Sequence, residues 1–578
     1  MRPLVASFFI VVMLAGVSAA PIPVAHAFWS YDGLLVASGG LNSQPNIIAD
    51  GVGGSIISWH GGANTDIFAQ HLTSQGQVAP GWPTDGPLIV CSVTGLQEHP
   101  VVVSDYAEGA LFFWQDARSG TNYDIYAQHV TSSGGLETDW PEGGRVISAA
   151  AYNQYAPAAA SDGQDGAIVV WYDSRNDFGK YYDIYAQHVT GDGVLGWPPA
   201  GLQVCGAANS QVDPAVIADG VGGAFIAWLD YRKGTESDIY IQHVASDGSL
   251  VHGWPENGLG VCTAPNCQFC PVLASDGAGG VFVAWQDYRS GTDNHIYAQH
   301  LASDGSLVNG WPEGGRPVCQ APNSQYCPAI ASCSPGEAII VWQDYRSGID
   351  NNIYAQHVTS SGGLATNWPE DGRSISSAVN GQFLPRVTPD ASGGAFIAWH
   401  DSRNGSSNDI YVQQVSGSGN LDALWPDDFP ACLAPNSQQF PVIVGSGVGG
   451  AIVAWQDQRT GEVAANAIYA QHTQTDDLLG VESPRGLVSR MAPGRPNPFR
   501  SSIQIRLALV EPVLVKAEVF DLAGRRVQTL ASGVYAAGDH TLVWDGTTVR
   551  SGPAWPGVYF VRVRWPGFEK TQRIVRLR

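Results

Sequence analysis

Seven times this chain places a tryptophan, an aspartate two residues on and an arginine two further: Asp116/Arg118, Asp173/Arg175, Asp230/Arg232, Asp287/Arg289, Asp344/Arg346, Asp401/Arg403 and Asp457/Arg459. Residues i, i+2 and i+4 of a strand share one face, so indole, carboxylate and guanidinium can join in one charge-assisted latch. From Arg485 onward there are 15 Lys/Arg and 6 Asp/Glu, which, with Arg2 set aside, leaves 13 basic against 46 acidic residues in the rest. Seven of those 13 fill the latch, so the pattern is expected to close repeats rather than to react. The first repeat departs from it, with His60-Gly61-Gly62 after Trp59.

Other recurring polar residues invite chemistry and are weighed the same way. His71, His129, His188, His243, His300, His357 and His472 recur at one position, with Gln414 in the place of an eighth. A glutamine substitutes for a hydrogen-bonding histidine more readily than for a metal ligand, so buried hydrogen bonds are expected and no metal site is assigned. Gln97, Gln154, Gln211, Gln268, Gln325, Gln382 and Gln438 each stand three residues before a proline and are expected to bond backbone. Beside them the residue type varies, and the aromatics Tyr155, Phe178, Tyr181, Tyr182, Phe269, Tyr326, Phe383 and Phe440 form the candidate ligand-binding set. Variation carried on a repeated scaffold is where binding is usually placed. Acidic pairs such as Asp173 with Asp183 or Asp230 with Asp238 leave calcium as a possible cofactor, although no D-x-D-x-D-G loop is present. Nine cysteines include Cys262 with Cys270 and Cys319 with Cys327, two pairs at one spacing that suit disulfides within a repeat. No G-x-S-x-G elbow, H-E-x-x-H, phosphate loop or dinucleotide fingerprint occurs, and no catalytic residue is assigned.

The elements that position these residues follow from the period. Trp59, Trp114, Trp171, Trp228, Trp285, Trp342, Trp399 and Trp455 recur every 55 to 57 residues. Each repeat offers four short strand candidates parted by Gly, Asp, Ser and Pro turns. In the sixth they are Cys327 to Ser332, Ala338 to Asp344, Asn352 to Thr359, and a stretch after Trp368-Pro369. Four strands at this period, repeated radially, describe an all-β, eight-bladed β-propeller. The last repeat lacks a Trp-Pro segment, while Trp29 to Val36 has the character of one without preceding strands. The N-terminal strand is therefore expected to close the last blade.

The order Pro, Asp-Gly, apolar-aromatic, Asp/Arg, Ile-Tyr, clear in Asp276-Gly277, Trp285-Gln-Asp287-Tyr-Arg289 and Ile296-Tyr297, resembles the repeats of TolB-type β-propellers from about Trp29 to His472. That resemblance implies a scaffold or binder rather than one activity. After a linker at 474–495, residues 496–578 alternate again in Ile503-Gln-Ile505-Arg-Leu507, Val515-Lys-Ala-Glu-Val519 and Gly557-Val-Tyr-Phe-Val-Arg-Val563. With Asp521-Leu-Ala-Gly-Arg525, this stretch resembles the small Ig-like β-sandwich of flagellar hook-capping proteins and of type IX secretion sorting domains. It implies sorting or anchoring, with secretion machinery as partner.

Residues 1–27 combine Arg2, an apolar run and Ala25-His26-Ala27, the layout of a signal peptide, so a secreted or cell-surface location is expected. The acidic repeats argue against nucleic acid, and no later apolar run is long enough for a transmembrane helix. The expectation is a non-enzymatic binding or adhesion protein for an extracellular glycan or protein. The alternative is a secreted carbohydrate-active or other hydrolytic enzyme with its site at the propeller channel mouth.

Overall fold

The computed structural model describes residues 29–474 and 490–577, except 30–31, 39, 63, 177–178, 423–427, 448, 462–465, 492–498, 510–512, 523, 536–537, 549–551 and 566–567. The expected signal peptide and most of the expected linker lie outside the described residues. The chain forms two compact units, Phe28–Leu479 and a second containing Gly480–Arg578.

The first unit is a propeller of eight four-stranded antiparallel sheets. Innermost strands of successive blades lie side by side, and that of blade eight, Gln438–Gly445, neighbours that of blade one, Ser43–Ala49, closing the ring. Blade six runs Gln325–Ser334, Glu337–Asp344, Asn352–Thr359 and Arg373–Ser376 from channel to rim. Its inner hairpin is longer than the apolar run alone indicates, because pairing continues to Ser334 opposite Glu337. In blade eight the outer strand is Leu34–Ala37, paired antiparallel with Ala467–Gln474.

The second strands are continuous apolar runs because both of their faces are covered. Every residue of Ala224–Asp230 is buried, and Phe225 and Ile239 of blade four share one core with Val281 and Trp285 of blade five. The latch forms in all seven blades that carry its residues. In blade six, Trp342 Nε1 donates to Asp344 Oδ2 at 2.7 Å, and Arg346 donates from its backbone N–H and Nε to Oδ1 and from Nη2 to Oδ2. Arg346 also lies 3.7 Å over the Tyr354 ring, donates to the Asp371 carbonyl and meets Cys319 of blade five. One guanidinium thus ties the second, third and outer strands to the neighbouring blade. In blade one Asn42 Oδ1 accepts the Trp59 indole N–H instead.

A second seam runs around the rim. Trp82, Trp140, Trp197, Trp254, Trp311 and Trp368 each donate an indole N–H to a carbonyl of the following blade. Trp29 does the same across the closure, from blade eight to Ser74 of blade one at 3.1 Å.

The recurring histidines pin the turn between the two inner strands. In five blades His Nε2 meets an aspartate at 2.9–3.0 Å, as in His129–Asp105, and Gln414 meets Asp390 at 2.8 Å. His129 Nδ1 also faces the Gly191 carbonyl at 2.9 Å, so both ring nitrogens must carry protons. Burial pulls the His129 pKa down, but the Asp105 and Gly191 acceptors outweigh it and the net shift is upward from 6.5. Burial pushes Asp105 up, yet His129 and the N–H groups of Ala107 and Gly109 bring it below 3.8. The histidine's contribution is complete below its unfolded value and fades as pH rises through the raised folded one. The aspartate's is complete above 3.8 and fades as pH falls through the lowered one. Melting temperature measured against pH is expected to decline as pH rises through the raised histidine pKa, above 6.5, and His129→Gln should flatten that decline. Parallel curves for the two proteins would contradict the pairing.

The disulfides expected within blades do not form: all nine cysteines are free thiols. Cys262 and Cys319 are buried on the outermost strands of blades four and five against Arg289 and Arg346, whereas Cys270 and Cys327 belong to the innermost strands of blades five and six.

The second unit is a sandwich of a three-stranded and a four-stranded sheet. Phe499, Ile505, Val519, Trp544 and Val561 fill its core. Glu518, nearly buried, is held by Lys516, Arg526 and Arg564 at 3.0–3.4 Å.

Candidate functional site: the channel mouth

Each inner strand opens with the sequence that carries the variable residues, and each is bulged there. In blade three Tyr155 pairs with Tyr172 and Ala158 with Val170, so Ala156 and Pro157 both oppose Trp171. The residue before the proline has a left-handed backbone in all eight blades: Gln44, His99, Ala156, Asp213, Cys270, Cys327, Leu384 and Phe440, with φ from 46° to 55°. None is glycine, and each such conformation costs roughly 1–3 kcal/mol. The following proline disfavours the right-handed helical region, and the bulge turns the residue toward solvent. The scaffold supports the strain from behind: Gln115, Gln286 and Gln343 each accept the bulge N–H of the next blade, as in Ala156 N to Gln115 Oε1 at 3.0 Å.

The result is an eight-membered ring of dissimilar side chains on an invariant backbone. The glutamines that precede it are buried and donate to loop carbonyls, for example Gln325 to Ala321 and Asn323, which makes them part of the frame.

The sequence-derived aromatics divide into groups around this ring. Tyr155 and Tyr182 join Tyr123 and Tyr172 in a cluster, with centroids 5.1–6.2 Å apart. Phe383 and Phe440 flank His400 at 5.5 and 6.4 Å. Phe269 and Tyr326 each stand beside a bulge cysteine, opposite Gln286 and Gln343. Tyr181 lies outside the tyrosine cluster, under the Lys180 ammonium at 4.6 Å, and Phe178 lies outside the described residues.

Several polar members escaped the sequence reading. Burial and then nearby Asp213 and tyrosines push Tyr172 up to about 12, and burial raises the Asp213 carboxyl. Tyr123 donates to Glu98 at 3.0 Å. Arg386 occupies an inner-strand position held by Asn46, Val101, Ala158, Ala215, Val272, Ala329 and Val442 in the other blades. It is surrounded by protein and yet exposed, so the water it meets is that of the channel. Its Nη1 reaches the Pro385 carbonyl at 3.4 Å, and among the described residues no carboxylate pairs with it. Burial lowers the Arg386 pKa, an environment that an anion would relieve. Burial, with Arg386 adding to it, brings His400 down to about 4, so that ring is neutral.

One arrangement has the form of a nucleophile and base: Ser43 Oγ and His60 Nε2 are 2.5 Å apart. His60 Nδ1 is buried with no partner among the described residues, so the third member that would orient the ring is missing. The carboxylate pairs considered for calcium are engaged by protein donors: Asp230 by Trp228 and Arg232, Asp238 by Lys233. A separate cleft of about 640 Å³ lies between loops of blades seven and eight, lined by Arg403, Asn404, Asp409 and Asn436 among others. For Tyr172 and His400 a signal was available, since the residue after the repeat tryptophan varies among His60, Gln115, Tyr172, Leu229 and His400 while an aspartate follows it in seven of the eight repeats.

No protein-family model matches the sequence, and no curated protein matches it. Solved structures do. A PL25 polysaccharide lyase, an ulvan lyase, aligns over 76% of this chain and 95% of its own at 10% identity and a TM-score of 0.40. A fungal alcohol oxidase of the AA5 family aligns over 85% and 99% at 9% identity and 0.36. Prolyl oligopeptidase B from Galerina marginata aligns over 74% and 56% at 8% identity and 0.38. At these values no activity transfers; the propeller rests on its own strand pairing.

Proposed function

We propose that this chain is an exported, non-enzymatic binding protein whose channel mouth takes an extracellular glycan bearing carboxylate or sulfate groups. The observation that carries the reading is the ring of eight bulged positions, where backbone strain is repeated in every blade and the side chain is not. Tyrosine and phenylalanine faces suit the apolar faces of sugar rings, and Arg386 suits an anionic substituent. The C-terminal sandwich acts in this reading as the sorting or anchoring domain, with the secretion machinery as its partner. The second reading is a hydrolase, and the Ser43–His60 contact is the feature that favours it.

Arg386 gives a direct test. A charge-assisted hydrogen bond is worth about 1.5–3 kcal/mol, so Arg386→Ala is expected to weaken retention of a polyuronate or sulfated polysaccharide by roughly tenfold to hundredfold. Retention of neutral polysaccharides should not change. Equal loss for both, or none for either, would remove the anion from the proposal.

A further inference from the structure

Blade six differs from the others at two positions in the turn between its inner strands. In six of the other seven blades the turn opens with an aspartate, such as Asp276, whose Oδ1 accepts the N–H groups of Ala278 and Gly280 and whose Oδ2 meets the histidine, or Gln414 in blade seven; blade eight has Ser446 there. The residue four on is glycine in those blades for a steric reason. A Cβ on Gly54, Gly109, Gly166, Gly223, Gly280 or Gly394 would lie 2.3–2.6 Å from that Oδ2 and 2.2–2.6 Å from a backbone carbonyl of the third strand; blade six pairs differently at this turn, with Ser334 opposite Glu337. In blade six the aspartate is Cys333 and the glycine is Glu337. Glu337 alone would collide with the aspartate, and Cys333 alone would remove the carboxylate from His357. Exchanged together, they return a carboxylate from the opposite strand and add a sulfur.

The three side chains converge. Cys333 Sγ is 3.4 Å from His357 Nε2, Glu337 Oε2 is 3.2 Å from the same nitrogen, and all three donor atoms lie within 4.8 Å of one another. His357 Nδ1 donates to the Gly417 carbonyl of the next blade at 3.1 Å, which leaves Nε2 facing the cluster. A carbonyl held by the other ring nitrogen in this way is what fixes the orientation of a ligating histidine. Zinc bonds of about 2.3 Å to sulfur and about 2.0–2.1 Å to nitrogen or oxygen, set at tetrahedral angles, put their donors about 3.3–3.6 Å apart. The two separations from His357 Nε2 fall close to that range, and Cys333 Sγ lies within 4.8 Å of the Glu337 carboxylate. Glu337 keeps 38% of its side chain exposed, which gives an entry path and a fourth position for water.

We propose that Cys333, Glu337 and His357 form a site for a thiophilic divalent cation of the zinc class, with three protein ligands and one solvent position. Mixed sulfur, nitrogen and oxygen donors favour zinc or cobalt over calcium or magnesium. Binding replaces the thiol proton, which leaves to solvent, and clips the inner hairpin of blade six to its third strand. The site is independent of the channel mouth and of any ligand there.

The test is titration of the full chain, reduced and stripped by chelator, with cobalt(II), read by thiolate-to-cobalt charge-transfer absorption. One cobalt per chain is expected, displaced by zinc. Cys333→Ser should abolish the band, and Glu337→Gln should weaken binding at least tenfold. His357→Gln should abolish it too, and this variant is expected to fold because Gln414 fills the same place in blade seven. A Cys270→Ser control should retain the band. Failure of the wild type to hold cobalt, or a band that survives both Cys333→Ser and His357→Gln, would overturn the site and leave an ordinary side-chain pair.

Discussion

Replacing Asp344 by alanine is expected to cost about 3–5 kcal/mol of folding stability, the range for breaking a buried ion pair from one side. The carboxylate is fully buried and accepts from the Trp342 indole and from Arg346 three times. Its loss would strand the indole N–H and leave a half-buried guanidinium over Tyr354 without its counter-charge. Blade one supplies the internal control. Asn42 accepts from Trp59 at 3.2 Å and donates to the Asn466 carbonyl at 3.1 Å, both neutral hydrogen bonds, so Asn42→Ala should cost about 1–3 kcal/mol, less than the loss of the charged latch. Urea unfolding of the two variants measures both; equal losses would mean that the latch holds by packing rather than by charge.

The other large effect is expected at the closure. Removing residues 28–42 would expose the pairing edge of Ala467–Gln474 and delete Trp29 and Val36, both buried. Two large apolar side chains at about 1.5–3 kcal/mol each amount to roughly 3–6 kcal/mol, before the lost strand pairing is counted. Arg459 would also lose the Asp32 carbonyl, the closure's counterpart of the Asp371 contact in blade six. An open sheet edge templates association, so the shortened chain should aggregate, and a peptide of residues 28–42 added in trans should restore a monomer. A shortened chain that stays monomeric with unchanged melting would show that the ring does not depend on this strand.

What the sequence made legible is what repetition amplifies. Eight tryptophans at nearly one spacing, each near the end of a largely apolar run, announce blades, and a histidine that yields once to glutamine announces hydrogen bonding. Pattern reading is weakest where a single residue leaves the period. The bulge before each inner proline was hidden because seven different residue types occupy it and none is glycine, so nothing in composition signals a left-handed backbone. Cys270 and Cys327 do not pair with Cys262 and Cys319 because the repeat boundary falls between them: the latter end the outermost strand of one blade and the former begin the innermost strand of the next. Arg386 is not legible from the sequence because six of the seven residues in its register are alanine or valine and the seventh, Asn46, is uncharged. Cys333 and Glu337 were each visible as exceptions, but their joint meaning depends on the steric clash between one residue's Cβ and the other's carboxylate.

The most direct test of the central claim is to incubate the full chain with acidic and neutral polysaccharides and examine bound and free fractions by mass spectrometry. The account predicts that an acidic glycan is retained with its mass unchanged, and that Ser43→Ala retains it equally well. Shortened or otherwise altered products, lost in Ser43→Ala, would contradict it and make the channel mouth an active site.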